Sequence, residues 1–319
     1  MATEIRIYRA DTGSCNGCDI EVLASLDPKY GLGELNVSVA EHPEEANVLL
    51  VTGLVTKKTE PELKKIYEKI QEPRLVIAYG QCAVGMDVFY DSYNAAGAVD
   101  EVIPVNFYLP GCPPSPRATL FGVTAALGVE GFKEGEAIWT VPEAFRGKVE
   151  VDEEACIGCG ACSEVCPPAA IDIEKKEDKM TLRFWHSKCI RCGSCKDICP
   201  SEAITMSDDY RLVTGDRQQL FSDITKDMQK CAECGQELVN TQIITFGLDA
   251  VGEHLREKYG ELMKTDPKAW GKIAKPYADL KKECQTDIGL LCPTCRKTLD
   301  KIKKEKMLLL AINLEEFSA

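Results

Sequence analysis

Residues 156–171 read CIGCGACSEVCPPAAI and residues 189–204 read CIRCGSCKDICPSEAI, so one cysteine-rich segment occurs twice in the chain. Each copy has the spacing C-x2-C-x2-C-x3-C-P. Gly158, Gly160 and Gly193 lie among these cysteines, and glycine lets a backbone turn tightly and approach a bound group closely. Such a turn presents three thiols to one side, and the proline then directs the chain away. The repeat therefore predicts a metal-binding domain built from two related halves.

The spacing is that of bacterial ferredoxins with two [4Fe–4S] clusters, in which the fourth cysteine of each run binds the other cluster. The ligands assigned to one cluster are Cys156, Cys159, Cys162 and Cys199. The ligands assigned to the second are Cys189, Cys192, Cys195 and Cys166. Two zinc knuckles are the alternative, but zinc sites use separate C-x-x-C pairs rather than two interleaved runs of four. Between the runs, Ile171–Glu174 and Lys179–Trp185 are predicted to form a hairpin, giving a ferredoxin-like α+β domain.

The first 128 residues alternate apolar β-branched runs with helical segments, a pattern typical of a parallel, flavodoxin-like α/β sheet. The predicted strands are Ile5–Tyr8, Val37–Val39, Val48–Val51, Leu75–Ala78 and Val102–Val105. Cysteines follow three of these strands: Cys15 and Cys18 the first, Cys82 the fourth and Cys112 the fifth. Loops after parallel strands meet at one edge of the sheet. Four cysteines could therefore meet around a third cluster.

The residues around these four cysteines resemble the small subunit of [NiFe] hydrogenases, over about residues 5–128. The resemblance is carried by GSCNGCDIEVLASLDPKY at 13–30, ANVLLVTGLVT at 46–56 and VIPVNFYLPGCPPSPRATLFG at 102–122. It is closest to the energy-converting group 4 branch, which includes formate hydrogenlyase. The resemblance implies that Cys15, Cys18, Cys82 and Cys112 hold the proximal [4Fe–4S] cluster, next to a large subunit that carries the active site.

Two details refine the resemblance. Related quinone-reducing complexes have adjacent cysteines where this chain reads Cys15-Asn-Gly-Cys18, which favours the hydrogenase branch. The family usually has a Gly-Gly pair shortly after the third cysteine, whereas this chain reads Cys82-Ala-Val-Gly85-Met86-Asp87. Simple loop drift is one interpretation of Met86 and Asp87. A changed cluster environment, or membership of a diverged hydrogenase-related complex, is the other.

The C-terminal part contains two further C-x-x-C pairs, Cys231/Cys234 and Cys292/Cys295. Two such pairs predict a closed tetrahedral site of the zinc-ribbon kind, with mononuclear iron or a fourth cluster as alternatives. The ferredoxin subunit of formate hydrogenlyase has a similar extension, so the chain resembles a fusion of that subunit with the small subunit. Cys284 is left over and is expected to be an inert thiol.

The predicted organisation has four parts. They are a small-subunit domain at 1–128, a linker at 129–149, a two-cluster ferredoxin domain at 150–208 and a mostly helical extension at 209–319. Helices are expected at Asp249–Lys264, Ala278–Glu283 and Leu299–Glu305. His186 precedes Cys189 by three residues, and we expect a surface or hairpin position for it, with cluster tuning as the alternative.

Charge and hydropathy restrict the partners. The formal net charge is −13, so nucleic acid is not an expected partner, because binding it needs a basic surface. The sequence shows neither the apolar core of a signal peptide at its start nor a run of the ~18 apolar residues that a membrane span needs. Seventeen cysteines in a reducing compartment point to metal binding rather than disulfides. We therefore expect a position on the cytoplasmic face of the membrane, held there by other subunits.

The predicted function is electron transfer without bond chemistry, and no residue is assigned a catalytic role. The resemblance implies that electrons pass between a [NiFe] large subunit, the three clusters and a ferredoxin or other redox protein. Two alternatives stay open. One is the same role in a related complex that reduces sulfur, a quinone-like carrier or F420 instead of handling H2. The other is a stand-alone ferredoxin-like carrier, which would not need the first 128 residues.

Overall fold

The computed structural model describes residues 4–32, 36–127, 141–228, 230–231, 233–235, 241–266, 268 and 295. These residues fall into two compact units. The first draws on Met1–Ala155, Gly160–Ile173 and Leu182–Ile224, and the second on Cys156–Cys159, Glu174–Thr181 and Thr225–Ala319. Of the predicted segments, the helices at 278–283 and 299–305, most of the linker, Cys284 and Cys292 lie outside the described residues.

The first unit contains a five-stranded sheet with the order β2-β1-β3-β5-β7. The strands are β1 (Ile5–Asp11), β2 (Val37–Val39), β3 (Val48–Thr52), β5 (Leu75–Tyr79) and β7 (Phe107–Leu109). All neighbouring pairs run parallel. This is the flavodoxin-like order, whose ligands bind beyond the carboxyl ends of the strands. The parallel α/β domain predicted from the sequence is confirmed.

Helices cover both faces of this sheet. The four described helices of the domain are α1 (Gly17–Ser25), α2 (Glu60–Lys69), α3 (Gln81–Gly85) and α4 (Pro116–Leu127). Leu49 and Val51 of β3 pack with Leu63 of α2 on one face, whereas Val48 and Leu50 pack with α1 and α4 on the other. Every residue of β3 is buried, as expected for a central parallel strand, which reads as a continuous apolar run.

The prediction of a strand at Val102–Val105 is wrong, and the strand lies at Phe107–Leu109 instead. Val102 ends a 3-10 turn (Val99–Glu101), and Pro104 has no backbone N–H to donate to a neighbouring strand. Pairing with β5 is set up at Asn106, whose amide donates to the Val76 carbonyl at 3.0 Å and whose Oδ1 accepts from the Val76 amide at 2.8 Å. β4 (Val55–Thr56) and β6 (Ala95–Gly97) form a separate two-stranded antiparallel sheet.

The cysteine repeat has the expected ferredoxin-like elements. β8 (Val149–Val151) pairs antiparallel with β11 (Ile204–Met206), and a short helix contains the third cysteine of each copy: α5 (Ala161–Glu164) contains Cys162 and α6 (Ser194–Ile198) contains Cys195. The predicted hairpin is confirmed as β9 (Ile171–Lys176) and β10 (Lys179–Trp185). These two strands belong to a sheet of order β12-β10-β9, in which β12 is Phe221–Asp227.

The described part of the C-terminal region contains one long helix, α7 (Thr241–Thr265), which includes the predicted Asp249–Lys264 segment. Charged side chains occur along α7, and none of the described helices combines the length and apolar character that crossing a bilayer requires.

Candidate metal centres

Four cysteines come together at the carboxyl edge of the parallel sheet. Cys15 lies in the loop after β1, Cys18 in the first turn of α1, Cys82 on α3 after β5, and Cys112 in the loop after β7. Their thiols interact electrostatically: Cys18 with Cys15 and Cys112, Cys82 with Cys18 and Cys112, and Cys112 with Cys15. The topology thus places the four predicted proximal ligands around one point.

Gly80 makes this convergence possible. It has a φ of +87°, and a Cβ atom added to it would lie 2.4 Å from the Cys18 sulfur. Any side chain at this position would displace a cysteine sulfur and would also strain the backbone. The amide of Gly80 donates to the Leu109 carbonyl at 2.9 Å, which joins the loops that carry Cys82 and Cys112.

The chemistry of this donor set fits an iron–sulfur cluster. Burial, and then the neighbouring thiols, raise the pKa of Cys18 to about 12. The pKa of Cys112 is also raised to about 12, first by burial and then by Asp87, and burial raises that of Cys82. Thiolates held this close repel one another, and iron ions would offset that repulsion, because metal binding releases the thiol protons.

Asp87 places a buried carboxylate beside two of these cysteines. It is 5% exposed, and its Oδ2 accepts from the Cys112 thiol at 3.5 Å and the Cys82 thiol at 3.6 Å. Met86 and Asp87 both adopt the left-handed conformation, with φ values of 67° and 54°, which glycine adopts without strain. The backbone here keeps a geometry suited to a Gly-Gly pair, yet carries two side chains, one of which contacts the cysteines.

The second ferredoxin-type set surrounds a cleft in the first unit. Cys166, Cys189, Cys192 and Cys195 all line it. Burial, followed by the other three thiols, raises the pKa of Cys195 to about 11. The Ala170 amide donates to the Cys166 sulfur at 3.2 Å, a contact of the kind that stabilises a thiolate ligand. The structure therefore brings together the set that includes the fourth cysteine of the other copy.

His186 lines the same cleft and is buried, so of the two expected positions, surface or hairpin, the surface one is wrong and the residue lies at the end of the hairpin. It directly follows β10, and its Nε2 lies 2.8 Å from the Ser222 hydroxyl. Burial, together with the charges of Lys148 and Arg191, lowers its pKa to about 4. The imidazole is therefore neutral at neutral pH.

The other ferredoxin-type set stays a prediction. Cys162 is buried on α5, and Cys199 directly follows α6, both in the first unit. Cys156 and Cys159 belong to the second unit. The two copies of the repeat nevertheless share a local backbone geometry. Gly160 directly before α5 and Gly193 directly before α6 both adopt the left-handed conformation.

Three of the four cysteines in the C-terminal C-x-x-C pairs form a compact group. The sulfur atoms of Cys231, Cys234 and Cys295 lie within 4.8 Å of one another. The Gly235 amide donates to the Cys231 carbonyl at 2.8 Å, and its φ of +71° closes the turn. A tetrahedral site with metal–sulfur bonds of about 2.3 Å needs sulfurs about 3.8 Å apart, so this group fits a mononuclear metal ion.

Two functional contacts were not predicted from the sequence. Arg191 lies inside the second cysteine run and reaches the loop of Cys112, where its Nη2 donates to the Pro110 carbonyl at 3.3 Å. Gln81 is buried next to Cys82, and its side-chain amide donates to the Ser187 carbonyl. The only sequence signal for either residue is its place beside a cysteine.

Together, the fold and these sites define an iron–sulfur protein of the electron-transfer class. The family model "NADH ubiquinone oxidoreductase, 20 Kd subunit" matches residues 15–126. The model "4Fe-4S dicluster domain" matches residues 149–206.

Several known proteins are similar to part of the chain. The chain is 44% identical over 121 residues to "Probable membrane-bound hydrogenase subunit mbhJ" of Pyrococcus furiosus, covering 38% of this chain and 72% of that protein. It is 39% identical over 160 residues to "Formate hydrogenlyase subunit 7" of Escherichia coli, covering 47% of this chain and 63% of that protein. The chain is also 30% identical to a chain in the solved structure of the membrane-bound sulfane sulfur reductase, an archaeal respiratory membrane complex. The match covers 43% of this chain and 74% of that chain, with a TM-score of 0.36.

The chain belongs to the [NiFe] hydrogenase small-subunit-like family, which the 20 kDa subunit model describes. It also carries a 4Fe-4S dicluster domain.

Proposed function

We propose that the chain conducts electrons through three [4Fe–4S] clusters within a multi-subunit hydrogenase-type complex attached to a membrane through other subunits. The proximal cluster is assigned to Cys15, Cys18, Cys82 and Cys112. The ferredoxin-type clusters are assigned to Cys189, Cys192, Cys195 and Cys166, and to Cys156, Cys159, Cys162 and Cys199. When bound, such clusters accept and release single electrons at potentials set by their surroundings.

The convergence of four thiols from three loops at the carboxyl edge of the sheet is the observation that carries this proposal. A second observation concerns the path onward. Arg191 contacts the Pro110 carbonyl at 3.3 Å, and Gln81 contacts the Ser187 carbonyl. The loop of the Cys189 set thus lies beside both the Cys82 and the Cys112 loops, which favours this set as the next electron carrier after the proximal cluster.

An exposed apolar face on α1 supports docking of a large subunit near the proximal cluster. Ile20 and Leu23 are 65% and 64% exposed, although they lie on the helix that begins beside Cys18. Cys15 and Cys112 are exposed as well. Exposed apolar side chains of this size at a redox site are typical of an interface with another protein. The two sequence relatives named above are a probable membrane-bound hydrogenase subunit and a formate hydrogenlyase subunit, which suggests a [NiFe] large subunit as the partner.

We also propose that the C-terminal cysteines bind zinc, with Cys292 completing the set of Cys231, Cys234 and Cys295. Thiolates in tetrahedral geometry favour zinc over harder cations, and iron is the alternative. A closed site of this kind would stabilise the C-terminal region without taking part in electron transfer.

Purification of the native complex tests the proposal. We expect nickel at about one atom per complex, about twelve iron atoms per copy of this chain after subtraction of the partners' iron, and H2-dependent dye reduction. A chain that copurifies with no large subunit would instead support the stand-alone carrier. The variant Leu23→Asp should lose the large subunit while keeping its iron, whereas Phe246→Asp on α7, which is 37% exposed, should keep both.

The second candidate is the same electron-transfer role in a related complex that reduces sulfur, a quinone-like carrier or F420. The observation in its favour is the Met86–Asp87 pair, which alters the loop next to Cys82. A complex with full iron content, no nickel and no H2 activity would establish this candidate, and the electron-transfer role of the chain would stand.

A further inference from the structure

Arg191 lies between two of the proposed cluster sites. It is in the loop between Cys189 and Cys192, and its backbone has a φ of 59°. This left-handed conformation is uncommon for a residue with a side chain, and it directs the Arg191 amide to the Cys189 sulfur at 3.4 Å. The residue also lines the cleft that the four cysteines of this set surround.

The side chain of Arg191 extends to the other site. Its Nη2 donates to the Pro110 carbonyl at 3.3 Å, two residues before Cys112. The guanidinium interacts electrostatically with both Cys112 and Cys189, and in each case it favours the thiolate. Arginine keeps its charge at any pH at which proteins are folded, so this positive charge acts on both sulfur sets at once.

We propose that Arg191 serves both the proximal cluster and the Cys189 cluster, because its one positive charge favours the reduced form of each. A positive charge close to a cluster stabilises the electron that the cluster accepts. Since the same charge serves both sites, it raises both potentials together and leaves the difference between them nearly unchanged. The charge therefore makes electrons easier to add to both clusters without adding to the free-energy step between them. This inference rests on the proposed cluster assignments.

A purely structural role is the competing explanation, because the bond to Pro110 would also hold the two loops together. The two roles differ in what they do to reduction potentials. Loss of a loop contact alone gives no reason for both potentials to move in the same direction, whereas loss of a shared charge does. The charge-conserving variant Arg191→Lys separates the two roles further, since lysine keeps the charge but lacks the guanidinium fork.

The test is a potentiometric titration of the iron-loaded full-length chain, monitored by EPR, for wild type, R191Q, R191K and R146Q. We expect R191Q to decrease the ratio of reduced to oxidised cluster at a fixed potential about tenfold for both clusters, which corresponds to about 59 mV each. R146Q is the matched control, because the exposed Arg146 donates to the Cys192 carbonyl at 2.7 Å. It should affect the Cys189 cluster alone.

Unchanged potentials in iron-loaded R191Q, or a change in one cluster only, would overturn the inference. R191K shifted as far as R191Q would also overturn it, because the charge is then not the cause. If R191Q does not load iron, the test rests on R191K. Because lysine is shorter, R191K should decrease the reduced fraction of the proximal cluster more than that of the Cys189 cluster. An unchanged reduced fraction of the proximal cluster would contradict the inference. A wild-type chain that binds no iron would instead contradict the proposed function.

Discussion

Replacement of Asp87 by asparagine should raise the reduction potential of the proximal cluster. The Asp87 carboxylate is buried, 3.5 Å from the Cys112 sulfur and 3.6 Å from the Cys82 sulfur. A negative charge at this position opposes the addition of an electron to a cluster held by the same sulfurs. Asparagine has the same shape, tolerates the left-handed conformation and keeps the acceptor for the Val88 amide, which lies 2.5 Å from Oδ1. The change therefore removes little besides the charge.

The size of the effect follows from the distance. The nearest iron would lie about 6 Å from the carboxylate, since a metal–thiolate bond adds about 2.3 Å to the sulfur distance. At an effective dielectric constant of about 20, two unit charges at this separation interact by about 3 kcal/mol. For a one-electron couple about 1.4 kcal/mol corresponds to about 59 mV. We therefore expect the potential to rise by about 120 mV in D87N.

EPR-monitored titration of the assembled protein measures this change. The matched control is Asp91→Asn, which removes an exposed carboxylate from the same loop and should shift the potential far less, because water and salt screen exposed charges. A D87N protein that contains full iron but has an unchanged or lower proximal potential would refute the reasoning. In that case Asp87 would be a product of loop drift, which is the simpler of the two interpretations of this loop.

Three further predictions concern the sites individually. Gly80→Ala should lose the proximal cluster, which is about four of about twelve iron atoms, because the added Cβ would lie 2.4 Å from the Cys18 sulfur. Gly31→Ala is the control: Gly31 has a similar φ of +81°, but no atom lies within 4 Å of the Cβ it would gain. The pKa of His186 is lowered to about 4 in the folded state, below the value of about 6.5 in the unfolded chain. The free energy of unfolding should therefore be highest above pH 6.5 and fall by up to about 3 kcal/mol as the pH decreases towards 4. Thermal unfolding of His186→Gln should lack this part of the pH dependence, and a slope equal to that of wild type would contradict the assignment. Cys234→Ser should release zinc in elemental analysis and leave the EPR signals intact, and a loss of iron instead would identify the site as an iron site.

Much of the fold and of the cysteine grouping could be predicted, because both depend on residue patterns between near neighbours in the sequence. The β3 segment Val48–Thr52 is buried throughout, and a central parallel strand needs such an apolar run. The interleaved ligand pattern predicted that Cys166 joins the set of Cys189, and the cleft that both line agrees with it. The position of Cys112 near Cys18 followed from topology, since loops after parallel strands meet at one edge.

The remaining features depend on contacts between distant residues. The apolar run at Val102–Val105 has the composition of a strand, but Pro104 and the preceding 3-10 turn move the pairing to Phe107. The contact between Asp87 and Cys112 joins loops that are far apart in sequence. Arg191 occupies a variable position of a cysteine motif, and only the fold brings its guanidinium to Pro110.

Spin quantification of the reduced full-length chain, combined with iron and sulfide analysis, tests the central claim most directly. Three [4Fe–4S] clusters predict about twelve iron atoms, about twelve sulfides and three unpaired-spin systems per chain. Cys112→Ser should decrease only the proximal signal, and Cys192→Ser only that of the Cys189 set. Two or fewer spin systems in the wild-type chain, with iron to match, would contradict the three-cluster path through this protein.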